Sequence, residues 1–298
     1  MSYQHNMQPG PRPYLEQRNL DLSALEWKHF QVKRLSPCLG AELIGIDLRK
    51  PLDGDTLSEV RNALLKYRVI FFRDQDLSAE QHLAFASAFG ELEEHPFIPS
   101  DAPESEVIRF DKDEKVPGYE NVWHSDVSWR EVPSFGSVLR AHIVPEIGGD
   151  TLFADMIAAY ECLSDEIKAS IDGRMAVNDF TQSFGRLLGP EDLARQQAQY
   201  PAVEHPLVRT HTETGEKSLY ANAAFTSHIV GMSQEESELL LAQIFRESTV
   251  PEYQCRFKWE KNSIAFWDNR AVQHYAANDY WPQRRQMDRV TIIGERPV

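Results

Sequence analysis

The stretch NVWHSDVSWRE at positions 121–131 sets His124 and Asp126 two residues apart, between Trp123 and Trp129. On a strand, side chains i and i+2 point to the same face, so an extended backbone here would project a histidine and a carboxylate side by side. Two histidines and one carboxylate form the donor set of a non-haem iron(II) centre, which leaves further coordination positions open. The third donor has to come from elsewhere in the chain. His95, His142, His205, His228 and His274 are the candidates, and spacing does not choose between them. A lone His-x-Asp also carries little weight, because chance supplies about 0.6 such tripeptides in a chain of this composition. The tripeptide His211-Thr212-Glu213 runs into Thr214-Gly215-Glu216 between two strand-like runs. It reads as a hairpin turn with a solvated acidic tip.

A second chemical signal lies near the C-terminus, in QRRQMDRVTIIGE. If 284–293 is extended, the even separation of Arg285 and Arg289 puts both on one face. Two guanidiniums turned toward a core need carboxylates, sulfonates or phosphates as partners. Structural salt bridges on an edge strand and an anion-binding wall beside a metal both fit that pattern.

The elements that must position these groups are mostly strands. SVLRAHIV, TLFAD, SLYAN, SIAFWD and RVTIIGE alternate with turns from position 135 onward, and VIFF at 69–72 is a short buried run. Helical spacing appears in LSEVRNALLKY, in 155–172 and in 233–246, and LSAEQHLAFASAFGEL reads as a helix capped by Ser78. Strands dominate and helices are peripheral, which predicts a mainly β fold built on a jelly-roll core. Residues 1–29 are polar, with Gly-Pro-Arg-Pro at 10–13, and read as an extended or disordered N-terminal extension. Residues 30–298 are then one domain. Residues 91–120, rich in Pro, Asp, Glu and Ser, read as a long loop and a candidate lid.

Composition narrows the partners. The 298 residues carry a net charge of −15 and no clustered basic stripe, which argues against nucleic acid. An anionic ligand must therefore be held by local cations against the overall field. The mean hydropathy of −0.47, and apolar runs well short of the roughly 20 residues of a spanning helix, argue against a membrane protein. The chain's start shows no basic-then-apolar secretory pattern. Its three cysteines are far apart without a CxxC pair, which suits a reducing cytoplasm and not a zinc-thiolate site. There is no GxGxxG or GxxxxGK[ST] motif to cradle phosphates.

GAELIGIDL, VIFFRDQ, WHSDVSW, GGDTLFADM, HPLVRTHTETGEKSLYAN, WDNRAVQHYA and QRRQMDRVTIIGE occur in this order. Together they resemble the taurine dioxygenase/TfdA family of iron(II)- and 2-oxoglutarate-dependent dioxygenases, over roughly residues 30 to 298. The resemblance implies a double-stranded β-helix core, Fe(II), 2-oxoglutarate as cosubstrate, and O2. It implies His124, Asp126 and His274 as metal ligands, and Thr151 and Arg285 as partners of the cosubstrate's distal carboxylate. On the substrate side it matches His95 and Arg289 to an anion-holding pair, and Ser183, Phe184 and Val127 to pocket positions. Ile98 and Glu120 fall where the family has a tyrosine and an asparagine in the taurine pocket, which puts taurine itself in doubt. The implied activity is hydroxylation of a small anionic substrate, taurine or another alkyl sulfonate, giving aldehyde and sulfite with succinate and CO2. An alkyl sulfate ester or a carboxylate is the alternative substrate. An anion-sensing jelly roll without turnover is the non-enzymatic alternative, and a zinc hydrolase on the same ligands is a rival enzymatic one. The resemblance also implies a homo-oligomer, a dimer or tetramer.

Overall fold

The structure, a computed structural model, describes residues 10–94 and 106–298. Its spine is a seven-stranded sheet. In spatial order this runs β1 (Gln31–Arg34), β2 (Ala41–Ile44), β3 (Val69–Phe72), β13 (Ile264–Asp268), β5 (Ser134–Ile143), β15 (Arg285–Ile293) and β4 (Val107–Lys112). Only the β2–β3 pair is parallel. A three-stranded sheet, β12 (Gln254–Phe257), β6 (Thr151–Asp155) and β14 (Val272–Ala276), faces it. A second three-stranded sheet joins β11 (Thr226–Ile229), β7 (Met175–Asn178) and β8 (Val203–Pro206), and β9 (Val208–Thr210) pairs with β10 (Lys217–Leu219). This is the expected mainly β fold with a jelly-roll core.

Two apolar layers hold the large sheet. Phe71, Leu139, Ala265, Trp267 and Met287 on one face pack against Phe153, Phe257 and Val272 of the facing sheet. Phe71 stacks on Phe257 with ring centroids 4.0 Å apart, a close aromatic contact of the kind that adds to area burial. On the opposite face, Ile70, Phe72, Val138, Phe266 and Val290 meet Val60, Leu64 and Phe85, which lie on α2 (Gly54–Tyr67) and α3 (Ala79–Ser87). Both helices start where a side chain satisfies a free backbone N–H. Asp53 accepts from Thr56 N, and Ser78 forms a reciprocal capping box with Gln81.

Two expectations need correction. Residues 13–23 are not an extended or disordered arm but helix α1 (Pro13–Ser23). Pro13 is preset for the first helical position. Leu22 is buried, and Tyr14 and Leu15 pack on the core formed by α4 (Met156–Glu161), α5 (Asp165–Ile171) and α7 (Gln234–Glu247). Residues 91–120 are not one loop, because β4 pairs along β15 as the sheet's edge strand. The lid reading otherwise falls on 95–105, outside the described residues. A helix the sequence reading omitted, α6 (Pro190–Gln199), follows the candidate pocket residues and contributes no buried side chain except where Leu193 leans on Trp129's cluster. The turn between β9 and β10 is a hairpin with an exposed acidic tip as expected, and its acids also make ion pairs, Glu213 with Arg61 and Arg270, and Glu216 with Arg68. No helix among the described residues is long and apolar enough to cross a membrane.

Candidate active site

His124 and Asp126 do converge, though not by strand alternation. His124 makes an isolated antiparallel bridge to His274, with His274 N donating to His124 O at 2.8 Å and His124 N donating back at 3.1 Å. The chain then turns. Val127 sits at φ 45°, and Arg130 N closes the turn on Val127 O at 2.9 Å. A left-handed β-branched residue is strained. Here the turn swings Asp126 back beneath the two imidazoles and leaves Val127 lining the adjoining chamber.

The result is a compact donor set. The ligand atoms of His124, Asp126 and His274 lie within 4.8 Å of one another. Asp126 Oδ1 is 3.8 Å from His124 Nε2 and 3.7 Å from His274 Nε2. His124 Nδ1 lies 2.8 Å from the Val122 carbonyl. That contact favours a proton on Nδ1 and a bare lone pair on Nε2, the arrangement a metal-binding imidazole needs. Asp126 Oδ2 accepts from Ser137 Oγ at 2.8 Å, and its backbone N–H donates to Asn269 Oδ1. Burial opposes the charge on Asp126, but Arg289, His274 and His124 outweigh it and hold the carboxyl well below its usual range. Burial, with His124 beside it, pushes His274 down to about 3, against the pull of Asp126. An ionised carboxylate beside two imidazole nitrogens fits a divalent cation of the kind bound by two histidines and one carboxylate.

Four other histidines among the described residues have partners away from this cluster. His142 binds Asp288, His205 faces the Arg130 carbonyl, His228 meets Ser227, and His211 is buried against Asp268. His95 lies outside the described residues, as does Ile98.

Arg285 and Arg289 share the face of β15 that looks into this space. Arg285 Nε donates to the Gly149 carbonyl at 3.0 Å, and its Nη2 is buried with no partner. Burial lowers its pKa, with Tyr280 and Glu120 opposing. Thr151 stands nearby on β6, and its Oγ1 accepts from Trp259 Nε1 at 2.9 Å, which leaves the hydroxyl proton free to donate. An unpaired buried guanidinium N–H with a free hydroxyl donor is a carboxylate receptor. The pair therefore fits the distal end of 2-oxoglutarate. Gly149, at φ 72°, allows this approach: a Cβ there would meet Arg285 Cδ at 3.2 Å.

Arg289 Nη1 donates to Asp126 Oδ1 at 2.8 Å, while its Nε is buried and unpartnered. It lines a small chamber of about 60 Å3 with Val127, Phe110, Phe184 and Phe225. That chamber opens beside a cleft of about 590 Å3 lined by Val122, Phe184, Leu187, Ala224 and Phe225. Ser183 also lines the cleft, with its hydroxyl donated to the Ala224 carbonyl. Phe184 stacks on Phe225 at 6.1 Å. Glu120 faces all the chambers and is ion-paired with Lys112 at 3.0 Å.

The sequence reading missed Lys112, Ser137, Trp259 and Asn269. Asn269 lay within the quoted WDNR run. Lys112 had no local signal, because its place follows from the β4–β15 register, which sets it opposite Arg285.

The family model described as "Taurine catabolism dioxygenase TauD, TfdA family" matches residues 31–291. An alkylsulfatase of Acinetobacter baylyi is 36% identical over 276 residues, covering 90% of this chain and 86% of the relative. An alpha-ketoglutarate-dependent sulfate ester dioxygenase of Pseudomonas putida is 35% identical over 268 residues, covering 87% and 88%. The crystal structure of a taurine dioxygenase from Burkholderia xenovorans superposes with a TM-score of 0.79 at 40% identity, covering 91% of each chain.

Proposed function

Because this chain belongs to the TauD/TfdA family of dioxygenases, we propose that its site oxidises an alkyl sulfate ester at the carbon that bears the sulfate. The activity class follows from the family: the protein is an enzyme, a dioxygenase that uses Fe(II), 2-oxoglutarate and O2. The observation that carries the substrate reading is the pair of buried, unpartnered guanidinium donors, Arg285 Nη2 and Arg289 Nε, both lining the chamber that His124 and His274 also line. Each asks for an oxyanion. One is answered by the cosubstrate and the other by the substrate head group.

His124, Asp126 and His274 would hold the metal, which with 2-oxoglutarate supplies oxidative decarboxylation and the oxidising power for C–H hydroxylation. Arg285 and Thr151 anchor the distal carboxylate and so fix the cosubstrate's reach toward the cluster. Arg289 orients the substrate's anionic head. Val127, Phe110 and Phe225 keep the chamber apolar and exclude water. The outer cleft accepts an apolar chain along Phe184 and Leu187. Hydroxylation at the carbon bearing the sulfate gives an unstable adduct that releases aldehyde and sulfate.

The sulfate ester relatives support this reading. The likeness to a taurine dioxygenase structure favours a second one, an alkyl sulfonate that releases sulfite. The test supplies Fe(II), 2-oxoglutarate and graded alkyl sulfates and sulfonates anaerobically, then admits O2. Succinate matched by sulfate is expected. Succinate matched by sulfite would move the assignment to sulfonates. Succinate with neither product for every compound would refute the sulfur-oxyanion reading and point to a carboxylate.

A further inference from the structure

We propose that Lys112 and Glu120 form a charge-fixing pair that restricts this site to substrates with a single anionic group. The inference rests on the alkyl sulfate reading and concerns which members of that class are accepted.

Glu120 stands at a junction. With His124, it lines the inner chamber beside Arg285, the small chamber beside Arg289, and the outer cleft. Glu120 therefore borders the space that a chain running outward from the His/Asp/His cluster would occupy. Glu120 is tied through its side chain and its backbone, with Oε1 in ion-pair contact but without a hydrogen bond. Lys112 Nζ lies 3.0 Å from Oε1, and Tyr119 N donates to Oε2 at 2.9 Å. The Glu120 carbonyl accepts from Ala276 N on β14, two residues from His274. Lys112 Nζ also sits 4.3 Å from the Tyr119 ring centroid, and the lysine is buried.

Lys112 sits directly across the ladder from Arg285. Like charges opposite one another on one face are destabilising. Glu120 relieves that repulsion, so the lysine is spent on the carboxylate and does not act as a spare anion receptor. Among the described residues, the charged groups lining the inner and small chambers are Arg285, Arg289 and Lys112 against Asp126 and Glu120. These leave one positive charge. A divalent cation raises it to three, and the 2-oxoglutarate dianion brings it back to one. One monoanionic head group neutralises the site, and a second anion on the substrate would enter uncompensated beside Glu120.

The test is equilibrium binding, not turnover. Protein loaded with Mn(II) and 2-oxoglutarate under anaerobic conditions is titrated with hexyl sulfate and with 6-sulfooxyhexanoate, which differ by one terminal carboxylate. The wild type is expected to prefer the monoanion by at least about tenfold, as Coulomb repulsion at contact distance in a partly buried site implies. Glu120→Gln is expected to shift that ratio at least about tenfold toward the dianion. The double variant Glu120→Gln/Lys112→Gln keeps the wild-type net charge, and is expected to shift it in the same direction by less. A purely structural ion pair would change both affinities together and leave the ratio fixed. A ratio indifferent to both substitutions, with both ligands bound, overturns this inference alone. Failure of the wild type to bind either ligand overturns the alkyl sulfate reading and takes this inference with it.

Discussion

Replacing Arg285 with methionine should make the ligand-free protein more stable while abolishing its response to 2-oxoglutarate. The guanidinium is buried, its Nη2 has no partner, and no carboxylate forms an ion pair with it among the described residues. Holding an uncompensated charge away from water costs several kcal/mol even after relaxation. Against that, the substitution loses the bond to the Gly149 carbonyl, a charged hydrogen bond worth about 1.5–3 kcal/mol. The expected balance is a gain of about 1–2 kcal/mol in the absence of ligand. For a chain of this size that is a rise in Tm of a few degrees, at about 2–4 °C per kcal/mol. With metal and 2-oxoglutarate at a hundred times its Kd, the wild type should gain about 2.7 kcal/mol by mass action. The methionine variant should gain almost nothing, because the unpartnered guanidinium donor proposed to hold the distal carboxylate is gone. The two melting curves should therefore exchange order when cosubstrate is added. Thermal melts of both proteins, with Mn(II) and with or without 2-oxoglutarate, read this directly. A variant that melts lower than the wild type without ligand, yet still responds to 2-oxoglutarate, would falsify the assignment of Arg285 as a held-open carboxylate receptor.

Other outcomes follow from the same contacts. Gly149→Ala places a Cβ within 3.2 Å of Arg285 Cδ at a φ of 72°, so titration calorimetry should show 2-oxoglutarate binding at least about tenfold weaker through displacement of the guanidinium. Trp259→Phe removes the donor that orients the Thr151 hydroxyl, and should weaken 2-oxoglutarate several-fold, by roughly the 0.5–1.5 kcal/mol of one hydrogen bond, with little effect on metal affinity. His274→Ala should abolish stoichiometric metal binding measured by equilibrium dialysis, whereas His211→Ala, which removes a buried partner of Asp268, should lower stability and leave metal stoichiometry at that of the wild type. Burial pushes His82 down to about 4, against its contact with the Val138 carbonyl. The unfolded chain therefore takes up a proton below pH 6.5 that the native state refuses. The stability tied to His82 is intact above that pH and is lost as pH falls toward 4, on the order of 2 kcal/mol by pH 5. Urea titrations at pH 7 and pH 5 should show that loss in the wild type and a smaller one in His82→Gln.

What the sequence by itself determined was local. Ser78 and Gln81 announce a helix start because their side chains answer backbone groups three residues away. VIFF and TLFAD become β3 and β6 because short β-branched and aromatic runs suit buried strands. The even separation of Arg285 and Arg289 placed both on one face because strand side chains alternate with period two. The motif order carried the metal ligands through resemblance, which physics on the sequence alone had left open among five histidines. The tertiary structure decided everything that depends on two distant segments meeting. His274 joins His124 through a bridge between residues 150 positions apart. Asp126 reaches them by a turn strained at Val127, where the sequence suggested a plain strand. Helix α1 exists because a core waits for Tyr14, Leu15 and Leu22; its polar sequence by itself would not hold it. Lys112 entered the site only through the register of β4 on β15, which sets it opposite Arg285 and within ion-pair reach of Glu120. Such placements are set by packing and ladder register, and those are properties of the whole fold that no short window of residues contains.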